Sequence, residues 1–211
     1  MRNKTAAAIA LGAVLILAAL YTGAGRLSGF GSGFRRGDGC ELVEGPAEYG
    51  VTPVLAECKW PVPAERLHTL IRSWGDHYRY FSNLAESTVL GESNNVVSVR
   101  HVHRASGISD REVIVEWTTE KIPNGYRYHW RKSPDQSAAT GTRVEVEVCS
   151  GYWEVTSDGG SGSLVGYEVR YLPGGSVPSF LVRMFQSSGM RGVLADLRQA
   201  AASETILVQR N

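Results

Sequence analysis

Between Ser87 and Tyr171 the chain carries six strand-like runs, with only turn-forming sequence between them. They span Ser87 to Leu90, Val96 to Arg104, Arg111 to Thr119, Tyr126 to Lys132, Arg143 to Val155 and Leu164 to Tyr171. Gly107, Ser109 and Asp110 precede the third run, Pro123-Asn124-Gly125 the fourth, the Pro134 to Gly141 loop the fifth and Asp158 to Ser163 the sixth. Parallel neighbours need a long crossover, usually a helix, and no helical pattern intervenes. The chain is therefore held to an antiparallel meander, one face of which must be buried. In the third run Val113, Val115 and Trp117 share one face and Glu112 and Glu116 the other. Carboxylates are costly to bury unpaired, which turns the valine and tryptophan face inward.

The flanks supply the cover. The domain is expected to start near Thr52 with the short strand V-L-A-E-C-K-W, followed by Pro61, Pro63 and a helix whose Leu67, Leu70, Ile71 and Trp74 fall on one side. Gly75 ends that stripe, and Asp76 to Leu84 predicts a second short helix. After the last strand, Leu172-Pro173-Gly174-Gly175 breaks the chain, Ser176 is placed to cap and Pro178 suits a first helical turn. Leu181, Met184, Phe185, Val193, Leu194 and Leu197 then mark the apolar side of a long terminal helix, with Ser187-Ser188-Gly189 as a point for a kink.

Upstream of all this, Arg2 and Lys4 precede an uncharged stretch from Thr5 to Ala24 that reads as a secretory signal and is also nearly long enough to span a bilayer. Residues 1–24 are thus either a cleaved signal or a retained anchor, and both place the remainder in the periplasm or outside the cell. Gly23 to Gly39 holds seven glycines among Ser, Arg and Asp, so residues 25–50 read as a flexible tether. Its G-F-G-S-G is not a nucleotide loop, having neither a preceding strand nor a following helix. The 22 basic residues less Arg2 and Lys4 leave 20 against 21 acidic ones, a net charge of −1 beyond the leader, which argues against a nucleic-acid partner. Cys40 and Cys58 either pair in an oxidising compartment, leaving Cys149 alone, or all three remain thiols.

Three segments carry a family resemblance. A turn delivering Asp110-Arg111 into a strand, the D-x-x-x-Y-F-x-N-L segment from Asp76 to Leu84, and P-G-G-S-V-P-S-F-L-V-R-M followed by L-A-D-L-R together resemble the START lipid-transfer family. That family lies within the helix-grip superfamily of polyketide cyclases, also called SRPBCC. The resemblance covers roughly Val54 to Ala202. It implies an α+β helix-grip fold over residues 51–205, a curved antiparallel sheet wrapped around a long C-terminal helix, with a ligand cavity between them. Strand parity offers Val113, Val115, Trp117, Tyr126, Tyr128, Trp130, Val165, Tyr167 and Val169 as its walls, with Leu181 and Met184 from the helix. A packed core uses the same side chains, so it is the resemblance that favours a cavity.

Polar candidates are few. His101 and His103 share a strand face and are assigned to the pocket lining; a metal would need His77 or His129 as a third ligand, and no motif supports one. Asp110 and Arg111 are assigned a structural role, fixed hydrogen bonds where the strand starts. Sterol-binding START proteins carry an acidic residue and an arginine inside the cavity, whereas this chain has Trp117 at the matching end of the Asp110-Arg111 strand, so sterol specificity does not carry over. With no G-x-S-x-G, H-E-x-x-H or phosphate loop, no catalytic residue, cofactor or metal is assigned. The expectation is an exported or membrane-tethered domain that binds a hydrophobic small molecule, in the first place a lipid, without chemistry. The alternatives are a cyclase/aromatase-like enzyme using Tyr128, His101 and His103, and an interaction module with a vestigial cavity.

Overall fold

The structure, a computed structural model, describes residues 39–47, 51–104 and 107–203, less the side chains of residues 179–180 and 183–187. The expected leader, most of the tether and the side chains of Met184 and Phe185 lie outside the described residues.

Among the described residues nine strands form one sheet: β1 (Cys40–Glu44), β2 (Val54–Trp60), β3 (Leu84–Ser93), β4 (Val96–His103), β5 (Arg111–Ile122), β6 (Gly125–Lys132), β7 (Val144–Glu145), β8 (Val148–Ser157) and β9 (Ser163–Leu172). Their spatial order is β1-β2-β9-β8-β6-β5-β4-β3, all antiparallel, while β7 pairs in parallel with the start of β5. The sheet is curved, and two helices, α1 (Ala64–Arg72) and α2 (Ser179–Ala202), pack on its inner face. The helix-grip α+β fold expected from the resemblance is the fold observed. Among the described residues no helix is long and apolar enough to cross a membrane.

Period-two patterning explains the strands. In β2 buried positions alternate with half-buried or exposed ones from Val54 to Trp60. Tight turns join the neighbours: Asn94 and Asn95 adopt φ 50° and 63° between β3 and β4, and Asn124 φ 62° between β5 and β6, conformations that asparagine tolerates better than most residues. Residues of like parity then line up across the inner face, His103 opposite Arg111, His101 opposite Val113, Val97 opposite Trp117, and Trp117 opposite Trp130.

Four local expectations are corrected. The tether assigned to residues 25–50 contributes a strand, β1, because Cys40 is disulfide-bonded to its register partner Cys58 and the chain pairs along β2 as far as Glu44. The single run from Arg143 to Val155 divides, since Val146 N–H donates to Glu112 O and Glu147 N–H to Leu172 O, a change of partner from β5 to β9 that splits β7 from β8. The helix expected from Asp76 is one 3₁₀ stretch, Trp74–Arg79, and Leu84 already belongs to β3. Pro178, rather than Ser176, occupies the N-cap of α2, and Ser187-Ser188-Gly189 lie within that helix.

The outer face is not simply open to solvent. Glu112 is 2% exposed, beneath the segment between β6 and β7, where Arg100 donates to it at 2.7 Å and Thr140 donates through its amide and hydroxyl at 2.9 and 2.8 Å. Pairing removes most of the cost of burying that carboxylate, so the orientation argued from charge survives for a different reason. On the inner side, Leu67, Ile71, Leu194 and Leu197 knit α1 and α2 into the core. The C-terminal half of α2 is pinned: Arg66 Nη1 donates to Ala201 O at 3.0 Å, and the Ser82 amide and hydroxyl donate to Asp196 Oδ2 at 2.8 and 2.7 Å.

Candidate functional site

A cavity of about 340 Å³ opens between α2 and the part of the inner face formed by β4, β5, β6, β8 and β9. Its walls are mostly rings and aliphatic groups: Phe81 and Leu84 at one side, Trp117, Trp130, Trp153, Tyr167 and Val169 across the sheet, Ile108 and Pro173 from loops, Met190 and Val193 from α2. The rings brace one another. Trp117 lies 4.7 Å from Trp74 and 5.0 Å from Trp130, Trp130 lies 5.6 Å from Tyr167, and Tyr167 lies 4.0 Å from Trp153, all between centroids. Gly151 makes this possible, because a Cβ there would meet the Trp130 ring and Glu168 O.

Polar groups enter at a few points. His77, Asn83, His101, His103, Arg104, Arg111, Cys149, Tyr171 and Ser188 also line the space, and none of the described lining residues is Asp or Glu. Buried and without a hydrogen-bond partner are Nε2 of His101, Nε2 of His103, Nε of Arg111, Nε1 of Trp117 and Oδ1 of Asn83. Native proteins leave few such atoms, and five of them gather around this one void. His103 stacks on Tyr171, 5.3 Å between centroids, and His101 lies 5.7 Å from His77.

Burial keeps the imidazoles neutral. Desolvation lowers His77 and His103 to about 4, and His101 lies well below the usual histidine value through desolvation reinforced by His77 and His103. The Cys149 thiol is pushed up to about 12 by burial, which holds it in the protonated form at neutral pH. Tyr167 and Tyr171 are likewise raised by burial. The guanidiniums of Arg111 and Arg104 thus supply the charge of the wall.

Of the residues assigned to the cavity from sequence, the structure brings His101, His103, Trp117, Trp130, Tyr167 and Val169 to its wall. Val113, Val115 and Val165 share the inner face but are packed core, 0%, 0% and 2% exposed. Valine is short, and parity does not report side-chain reach. Tyr128 is corrected too: it lies under α1, its hydroxyl 2.9 Å from His68 Nδ1. Tyr126 packs on the His68 ring, and Leu181 is half-buried away from the cavity. Arg111 makes the expected hydrogen bonds at the strand start, to Ser109 O and Ser109 Oγ rather than to Asp110, yet it also faces the cavity, which its assignment as structural had missed. Cys149 and Trp153 were findable, since they share parity along β8 with Val155; Phe81 sits in the aromatic segment read as a short helix and a fold signature, and His77, in the same segment, was weighed only as a third metal ligand. For a metal, His77 Nε2 is taken by Ile71 O at 2.9 Å and His129 sits 3.5 Å from Glu120 among exposed groups. Among the described residues no group of three His, Cys, Asp or Glu side chains could hold an ion.

No family profile matches the chain. An uncharacterised protein of Pseudomonas aeruginosa is 30% identical over 95 residues, 44% of this chain and 47% of that protein, so the chain spans about half the length of this relative. Solved structures are similar over far more of the chain. The STAR-related lipid transfer protein of Xanthomonas axonopodis superposes with a TM-score of 0.71 at 19% identity, covering 81% of this chain and 97% of that one. Human StAR-related lipid transfer protein 5 gives 0.72 at 13%, covering 91% and 95%. The Zhui aromatase/cyclase of a Streptomyces species gives 0.50 at 13%, covering 77% and 92%. With the curved sheet, the gripped C-terminal helix and these likenesses together, the chain has the START/SRPBCC helix-grip fold.

Proposed function

We propose that this domain binds a hydrophobic small molecule, in the first place a lipid, inside the cavity and carries it without converting it. The observation that carries the reading is the cavity itself, about 340 Å³ of mostly apolar and aromatic surface with a small set of converging polar atoms. That volume is at the small end of the roughly 300–1,000 Å³ common for small-molecule sites, which suits one acyl chain or one ring system. The likeness to two proteins named as lipid transfer proteins supports it. The purified domain, sprayed under native conditions and then extracted with organic solvent, is expected to release a stoichiometric hydrophobic compound unchanged in mass. A domain that retains nothing and takes up nothing from lipid vesicles overturns the reading.

A cyclase-type activity is the second reading, favoured by the neutral imidazoles of His101 and His103, whose bare Nε2 atoms could exchange protons with a bound polyketide, and by the likeness to an aromatase/cyclase. Turnover of a poly-β-keto substrate separates it from carriage. The domain is also proposed to work outside the cytoplasm, freed from residues 1–24 or tethered by them to a membrane. The Cys40–Cys58 bridge supports this, since such bonds persist in oxidising compartments.

A further inference from the structure

Taking the cavity as a ligand site, we propose that its ligand is a hydrophobic carboxylic acid, and that Arg111 binds the carboxylate inside the cavity.

Arg111 is 5% exposed at the first position of β5 and faces the void. Its Nη1 donates to Ser109 O and, at 3.1 Å, to Ser109 Oγ, which fixes the plane of the guanidinium, while Nε is buried with no partner. Three other partly buried arginines are held by carboxylates. Arg100 is held by Glu112 at 2.7 Å and Glu86 at 2.8 Å, Arg143 by Glu86 at 2.8 Å and Arg127 by Glu154. Arg111 looks onto a wall whose described residues include no Asp or Glu. A guanidinium keeps its charge, and a buried charge without a counter-ion is strongly unfavourable. The missing partner is therefore an anion brought by the ligand, and a planar carboxylate matches the donor fork of the guanidinium.

The neighbouring atoms fit the same group. His103 stands opposite Arg111 in the β4–β5 register, with His101 two residues away on the same face, and each keeps an unpartnered Nε2. Neutral imidazoles donate an N–H to an acceptor without adding charge, and the Trp117 indole is a donor only. One buried guanidinium among uncharged donors balances one negative charge. A phosphate monoester brings nearly two, and its second charge would have to be met by Arg104, which is exposed to solvent, while a zwitterionic head brings an ammonium for which the described wall offers no carboxylate. The rings of Trp130, Trp153 and Tyr167 then receive the apolar body.

The test uses the delipidated protein and four twelve-carbon probes below their micelle concentrations: dodecanoate, methyl dodecanoate, dodecanol and dodecylphosphocholine. Dodecanoate is expected to bind at least about ten-fold tighter than the other three, the difference one charge-assisted contact makes. Arg111→Gln is expected to remove that preference while leaving dodecanol affinity within about three-fold. Equal affinity for acid, ester and alcohol, or tighter binding of the phosphocholine, overturns the inference and leaves the cavity reading standing. Should none of the four bind, the cavity reading falls and this one falls with it. If Arg111→Gln does not fold, the probe series on the unsubstituted protein decides alone.

Discussion

Trp117 is both a wall of the cavity and part of its packed base. Its ring is 5% exposed and lies between Trp74 and Trp130, with His77 at 5.7 Å. A side chain bordering an existing void should lose little on truncation, but this one surrenders contacts on both ring faces. Trp117→Ala is therefore expected to cost about 3–5 kcal/mol, the full range for a packed aromatic, and to weaken ligand retention as well. Urea denaturation and a retention assay on the same variant check the two effects, and Trp117→Phe keeps a folded reference. A loss well below 1 kcal/mol would mean that the ring is held by the ligand rather than by its neighbours. At this scale the inward orientation of Trp117 was legible, because Glu112 and Glu116 share the opposite parity. The division of labour among inward residues was not legible: whether Val113 or Trp117 reaches the void depends on side-chain length and on what lies above, and Arg111 looks the same in sequence whether its guanidinium turns to a loop or to a cavity.

Among the elements, β1 shows where pattern reading stops. Glycine-rich sequence just before Cys40 reads as a tether, and five residues of strand carry too little alternation to say otherwise. What fixes β1 is a long-range partner, the seven-residue β2, together with the Cys40–Cys58 bridge across 18 positions. The long strands β4, β5, β6 and β9 were legible because each contains several periods bounded by turn residues. The split of β7 from β8 was not, since it depends on which neighbour offers a carbonyl at Glu112 and Leu172. The bridge makes a prediction of its own. Closing a loop of this length stabilises a fold by about 3 kcal/mol through the unfolded chain, so Cys40→Ser should lower stability by roughly that amount and match the reduced parent protein. Protein taken from its native compartment, with thiols blocked before and after denaturation, should yield one reactive cysteine, Cys149, and only after unfolding. Three reactive thiols would place the chain in a reducing compartment and sink the proposal of export.

For the molecule as a whole, the cavity has an energetic signature that needs no ligand to detect. His77, His101 and His103 are buried neutral, and His68 is lowered as well, by desolvation against the pull of Glu65. The His77 ring is enclosed by Trp74, Tyr80, Phe81, His101 and Trp117, and the hydrogen bond to Ile71 O and the nearby Asp76 offset only part of the desolvation. The folded-state value of about 4 lies below the unfolded value of 6.5, so between those limits the unfolded chain binds more protons than the native one. Stability therefore rises with pH across that window. It is fully present above pH 6.5 and falls as the solution is acidified, until the native ring itself protonates near pH 4. For His77 alone the span amounts to about 3 kcal/mol. Unfolding free energies from urea titrations at pH 7.5, 6.5, 5.5 and 5 are expected to drop progressively, in a range where carboxylates contribute little. In His77→Gln the slope should shrink by about one proton, close to 1.4 kcal/mol per pH unit at its steepest. Flat stability from pH 7 to 5 would mean that the histidines charge freely in the folded state. The space beside them would then be wet, and an apolar ligand cavity at that position would no longer be tenable.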